Sequence, residues 1–221
     1  MNPLAQFQPE PDVNIRILVF EGVDEIDFVA PLEIFRRAAK LSAAQLKQAV
    51  DVRLVTLEPC DQLTAANGLR ITPDGVLEET TDLLIVPGGG WASRSPRGIR
   101  FEVERGHLTH HIAALHSHGT VVAAVCTGTM ALAAAGVLDG RRATTHRAAL
   151  ADLRATRANV VNARVVDDGN IVTCGGVTSS IDLAFHLVER FFGREVSDKI
   201  AHDMEYTRNP NILSPHPSPN A

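Results

Sequence analysis

An apolar, β-type run, Val121-Val-Ala-Ala-Val125, stops at Cys126 and passes through Thr127-Gly128 straight into the helix-type run Thr129-Met-Ala-Leu-Ala-Ala-Ala135. A strand that becomes a helix this quickly needs a sharp elbow, and that points the chain toward an α/β architecture. A thiol at the elbow is pushed out over the carboxyl end of the strand. There it lies against the unpaired N–H groups of the following helix, which favour the thiolate and lower the thiol pKa. The competing reading is a buried cysteine serving as a small hydrophobe. The Thr127-Gly128 turn favours the nucleophile, since a merely structural Cys would not need so sharp a bend.

The rest of the chain alternates in the same manner. Asn14 to Phe20 reads as a first strand, followed by a helix over Phe28 to Leu41 with Val29, Leu32, Ile34, Phe35 and Ala39 on its apolar side. Val50 to Thr56 reads as a second strand, Asn67-Gly68 as the turn of a small hairpin between Leu63 and Ile71, and Leu83 to Val86 as a strand buried on both faces. One helix is expected from about Pro96 to His118, carrying Phe101, Leu108, Ile112 and Leu115 at helical spacing. Beyond the elbow come an extended piece at Ala143 to Thr145, a helix at Ala148 to Leu153, a hairpin around Asp168-Gly169-Asn170, and helices over Ser179 to Phe192 and Ser197 to Tyr206. The pattern predicts a doubly wound, mostly parallel sheet with helices on both faces. It divides into a tail at 1–13, one α/β domain at 14–208 and a loose Pro/Asn/Ser-rich tail at 209–221.

Composition removes several classes of function. With 26 acidic residues against 21 Lys and Arg, and a net charge of −5, nucleic acid has no electrostatic footing. No apolar stretch calls for a membrane, and the polar, Pro-rich start lacks the features of a signal peptide, so a reducing cytoplasm is expected. Cys60, Cys126 and Cys174 are too scattered for a disulfide framework or a zinc site. His107 and His111 stand one helical turn apart but lack the Glu of an HExxH site, so no metal is expected. No phosphate-binding glycine motif follows a strand, so no nucleotide cofactor is expected either. What remains is a small-molecule substrate.

In a doubly wound sheet, ligands bind at the carboxyl ends of the strands, and the βα order sends Asp24, Asp27, Gly88 to Gly90 and Cys126 there. Asp27 reads either as a helix N-cap or as a carboxyl beside the thiol, raised in pKa by burial and able to donate a proton. Asp24 is the competing acid. Gly89 and Gly90 read as backbone donors to a developing negative charge, together with the Thr127 N–H, or as a plain tight turn. Trp91, the only Trp, reads as a pocket wall or as a core residue. Local sequence does not bring His146 to the thiol, which favours a structural or surface role for it.

The segments Phe20-Glu-Gly-Val-Asp-Glu-Ile-Asp27-Phe-Val-Ala-Pro31, Ile85-Val-Pro-Gly-Gly89, Ala124-Val-Cys126-Thr-Gly128 and Gly140-Arg-Arg-Ala-Thr-Thr-His146 together resemble the PfpI/ThiJ superfamily. Within it they are most similar to isonitrile hydratases and to the amidase-like domains of AraC-type regulators. The resemblance spans roughly Ile15 to Phe192. It implies a flavodoxin-like fold, usually a homodimer, with Cys126 on a nucleophile elbow. The family carboxylate precedes the helix Pro by four residues, which selects Asp27 over Asp24. Proteases and glyoxalase-like members carry Glu at that place and His after the Cys; this chain has Asp27 and Thr127, the isonitrile hydratase pattern. The chemistry implied is attack by Cys126 on an isonitrile with protonation by Asp27 and assistance from Thr127. Arg147 and Trp91 depart from the family pattern, as do Ser179-Ser180, so the pocket is expected to differ. The alternative is a ligand sensor without DNA binding, since no helix-turn-helix segment is expected before Ala221, or a redox-responsive protein oxidised at Cys126.

Overall fold

The computed structural model describes residues 12–45 and 47–214. In chain order the elements are β1 (Val13–Leu18), α1 (Glu25–Gln45), β2 (Val50–Thr56), β3 (Leu63–Thr64), β4 (Arg70–Ile71), β5 (Gly75–Val76), β6 (Leu83–Val86), α2 (Ile99–Arg105), α3 (His107–Ser117) and β7 (Val121–Ala124). They continue with α4 (Thr129–Ala134), β8 (Arg142–Ala143), α5 (Leu150–Arg154), β9 (Asn159–Val160), β10 (Val165–Asp167), β11 (Ile171–Cys174), α6 (Ser179–Phe192), α7 (Arg194–Asp203) and β12 (Ile212–Leu213).

The main sheet has eight strands in the order β12-β10-β11-β7-β6-β1-β2-β5. Every pairing in it is parallel except β10 with β11, the hairpin whose turn is Asp168-Gly169-Asn170. Helices α1, α6 and α7 pack together on one side, and α2, α3 and α4 on the other. The five central strands run β2-β1-β6-β7-β11, the flavodoxin-like doubly wound order, with the chain reversing direction across the sheet between β1 and β6. Leu83 to Val86 of β6 are all buried, as a strand covered by helices on both faces requires. The small β3/β4 hairpin pairs Leu63 with Ile71 around the Asn67-Gly68 turn. No helix among the described residues is long and apolar enough to cross a membrane.

Four local expectations are corrected. Helix α1 starts at Glu25, three residues earlier than its apolar pattern suggests, so its buried stripe is Asp27, Phe28, Pro31, Ile34, Phe35, Ala38 and Ser42, and Val29 is exposed. The helix foreseen up to His118 is two, because Gly106 adopts a left-handed φ of 79° that ends α2 with a C-cap and starts α3. Strand β1 takes in Val13, which was assigned to the tail. The loose tail foreseen from Asn209 carries β12, whose backbone pairs with β10 at Val165↔Ile212 and Val166↔Leu213.

Candidate active site

Strands β7, β6 and β1 are immediate neighbours, so the segments that leave their carboxyl ends meet in one place. They carry Cys126, the Pro87-to-Gly90 loop and Asp27. This is the crevice beside the reversal point, where doubly wound sheets bind ligands.

Cys126 leaves β7 with a φ of 56°, a left-handed conformation that is rare and strained for a residue with a Cβ. Its neighbours hold it there. The Cys126 N–H donates to the Gly175 carbonyl at 3.1 Å, and the Thr145 hydroxyl donates to the Cys126 carbonyl at 2.8 Å. Gly128 has an ordinary helical φ of −56°, so the strained turn belongs to Cys126. What Gly128 supplies is close approach: a Cβ there would lie 2.1 Å from the Val86 oxygen and 2.7 Å from that of Pro87.

Asp27 is fully buried on the inward stripe of α1. It caps no helix: its Oδ2 accepts the Gly88 N–H at 2.9 Å, from the loop after β6, and its Oδ1 is buried with no hydrogen-bond partner. Burial, reinforced by the Asp24 charge, pushes the Asp27 carboxyl up to about 8, against the Gly88 N–H and the Cys126 thiol, which favour its anion. At neutral pH Asp27 is therefore a carboxylic acid.

The thiol departs from expectation. Burial comes first, followed by the Asp27 charge, and together they push Cys126 up to about 12, although the backbone N–H groups of Val177 and Thr127 both favour its anion. The elbow amides are present as foreseen, but Cys126 is only 4% exposed and stands beside a carboxyl group. Desolvation and like charge outweigh two amides. The resting pair thus holds both protons, one on sulfur and one on Asp27.

In the glycine loop the first two amides have acceptors inside the protein. Gly88 and Gly89 point their N–H groups at Asp27 Oδ2 and at Thr127 Oγ1, the latter at 3.1 Å, so these amides position the acid and the threonine. Gly90 has a φ of 72° and accepts the Ser95 N–H on its carbonyl. The Trp91 indole N–H donates to Asp152 at 2.7 Å, and the Arg100 guanidinium lies 4.2 Å over its ring. Its polar contacts therefore run to α5 and α2 and tie the loop to both.

Two residues join the site without a local sequence signal. The His146 N–H reaches the Cys126 carbonyl at 3.4 Å, its ring packs against Gly176, and Nδ1 accepts the Ala148 N–H at 3.1 Å. That bond leaves the proton of the neutral ring on Nε2. Val177, a β-branched residue at a φ of 24°, presents its N–H to the sulfur. Asp24 is half-buried and its charge raises both Asp27 and Cys126. His107 lies 3.4 Å from Glu58, well separated in the sheet order from the β7 elbow, and no group of three or more metal-ligating side chains occurs among the described residues. A groove of about 230 Å³ at the neighbouring ends of β1 and β2, lined by Leu18, Phe20, Leu57, Leu63 and Phe101, does not include Cys126, Asp27 or Thr127.

Comparison with known proteins bears on what this constellation does. The model of the family described as DJ-1/PfpI matches residues 13–190. The isonitrile hydratase of Pseudomonas putida is 32% identical over 207 residues, covering 93% of this chain and 83% of that protein. The HTH-type transcriptional regulator GbdR of Pseudomonas aeruginosa is also 32% identical, over 203 residues, but this chain spans only 51% of its length. A ThiJ/PfpI family protein from Pseudomonas syringae superposes with a TM-score of 0.76 at 23% identity, covering 100% of this chain and 86% of that one, which shows the shared fold.

Proposed function

Because the chain belongs to the DJ-1/PfpI family, we propose that it works through the Cys126 thiol as an isonitrile hydratase, converting an isonitrile into an N-substituted formamide. The observation that carries this reading is the buried carboxylic acid beside the thiol: Asp27, anchored through Oδ2 to Gly88, with Oδ1 buried and unpartnered. An isonitrile carbon must gain both a nucleophile and a proton. A neutral thiol next to a neutral acid supplies both without prior ionisation.

The sulfur forms a bond to the terminal carbon while Asp27 gives its proton to that carbon and receives the thiol proton. The carbon–nitrogen triple bond becomes a double bond, leaving a covalent thioimidate on Cys126. Water then adds across the carbon–nitrogen double bond, hydroxyl to carbon and proton to nitrogen; Asp27 protonates the leaving sulfur and takes the hydroxyl proton, and the formamide departs. Charge developing on sulfur is met by the Val177 and Thr127 N–H groups. Thr127 Oγ1, held by the Gly89 N–H, keeps the loop in register with the elbow. No step calls for a metal or an organic cofactor. The proposal includes a cytoplasmic homodimer, for which the exposed Ile26 and Val29 on α1 and Leu69 on the hairpin offer apolar surface.

The test is incubation of the protein and its Cys126→Ala variant with a simple aryl isonitrile, following formamide by mass spectrometry. Product from the wild type alone supports the scheme, and turnover by Cys126→Ala overturns it.

A second reading rests on the equal identity to GbdR: the same fold serving as a ligand-sensing module. No formamide, with Cys126 still alkylated by iodoacetamide, would favour it.

A further inference from the structure

The loop Gly175-Gly-Val-Thr178 holds the elbow, since the Gly175 carbonyl accepts the Cys126 N–H at 3.1 Å, and within it Val177 sits at a φ that a β-branched residue adopts only under constraint. Besides the turn bonds from Ser179 and Ser180 to Gly176 and Val177, Arg164, just before β10, grips the loop on both sides of Val177. Its carbonyl accepts the Gly175 N–H at 3.0 Å, on one side of Val177. Its Nη2 donates to the Thr178 carbonyl at 2.8 Å and to Thr178 Oγ1 at 3.2 Å, on the other. Val177 is bracketed by a single side chain and its own backbone.

Arg164 is itself held. Its Nε pairs with Asp182 of α6, which is 1% exposed. The second oxygen of Asp182 accepts the Tyr206 hydroxyl and the Asn209 N–H, each at 3.0 Å. The Arg164 N–H donates to the Asn211 carbonyl at 3.1 Å, and the Tyr206 ring stacks on Phe185 with centroids 5.4 Å apart. The segment after α7 is thus fastened to the same arginine that fixes the loop.

Building on the reading of Cys126 as nucleophile, we propose that Arg164 is a positioning residue for it: through Asp182 and the segment Tyr206 to Asn211, Arg164 locks the Gly175-to-Thr178 loop so that the Gly175 carbonyl keeps hold of the Cys126 N–H and with it the strained elbow. Arg164 touches no reacting atom. What it contributes is the fixed fork of a guanidinium, which lysine cannot reproduce while keeping the charge.

The experiment measures the rate of Cys126 alkylation by iodoacetamide from pH 7 to 10, located by mass spectrometry, in a Cys60→Ser background because Cys60 is exposed. Arg164→Lys and Arg164→Gln are both expected to shift the pH–rate profile upward and slow alkylation at pH 8 by about three- to tenfold, because a loosened loop no longer fixes the elbow that aims the sulfur. A long-range charge effect would spare Arg164→Lys, so a wild-type profile for that variant overturns the inference. Should the Arg164 variants fail to fold, Tyr206→Phe, which removes one hydrogen bond to Asp182, decides: slower alkylation supports the proposal and an unchanged rate overturns it. A wild-type Cys126 inert at every pH would instead bring down the nucleophile reading, and this inference with it.

Discussion

The Gly88 N–H and Asp27 Oδ2 are joined at 2.9 Å across the ends of two neighbouring strands, which leaves Oδ1 as the only carboxyl oxygen free to exchange a proton. The bond fixes the orientation of the acid without ionising it. Burial dominates its titration, so the acid stays protonated through neutral pH.

Turnover should therefore fall as pH rises through about 8, where Asp27 loses the proton it must donate. Asp27→Asn should lower turnover about 10²- to 10⁴-fold at pH 7. The same variant should alkylate faster at Cys126 above pH 9, because the Asp27 charge that opposes thiolate is gone. A pH–rate profile with no descending limb near 8, or slower alkylation in Asp27→Asn, would contradict this arrangement.

Asp27 also ties stability to pH. Its folded pKa, about 8, lies above the ordinary 3.8, so between those values the folded chain holds a proton that the unfolded chain has released. Stability contributed by this group is complete below about 4 and is lost as pH rises to 8. Asp27→Asn should gain on the wild type steadily from pH 5 to 8, by about 4 kcal/mol over that range. Urea unfolding at a series of pH values checks this; a constant difference would refute it.

The two glycines nearest the elbow should fail for different reasons. Gly128→Ala meets backbone oxygens at 2.1 and 2.7 Å, and should destabilise the fold by about 3 kcal/mol. Gly88→Ala meets Thr127 Oγ1 at 2.5 Å, the Thr127 backbone nitrogen at 2.6 Å and Asp27 Oδ2 at 3.1 Å, so besides straining the elbow it should displace the acid and lower turnover about 10²-fold. Thermal melts and kinetics on both variants separate the two effects.

Thr127→Ala leaves the buried Gly89 N–H without its acceptor and should cost about 1–3 kcal/mol, whereas Thr127→Ser keeps that oxygen and should stay close to the wild type. Equal melting temperatures for the two variants would show that the bond contributes nothing.

Where side-chain pattern decides structure, the sequence was readable. Leu83 to Val86 had to be an interior strand, and the switch from β-branched residues to an Ala/Leu run at Cys126 had to be an elbow. Asp27 was harder, because its burial becomes visible only when α1 is extended back to Glu25 and the acid falls on the inward stripe with Pro31, Ile34, Phe35 and Ala38. Val177 contributes a backbone amide at a strained φ, for which no residue type is diagnostic. Strand β12 is a pairing of backbones in a segment with no alternating pattern. The elbow amides that favour thiolate are a local property and legible, while the burial that outweighs them comes from the whole fold and the facing carboxyl from α1.

The main sheet ends on both sides in strands of only two residues, β12 and β5. An edge that short gives an incoming strand little backbone to zip onto, which blunts ribbon-like growth and amyloid-style stacking at either margin. Chains that meet must do so through their side chains, so specificity of self-association is encoded on helix and hairpin surfaces and can be retuned there by point substitution without touching the sheet.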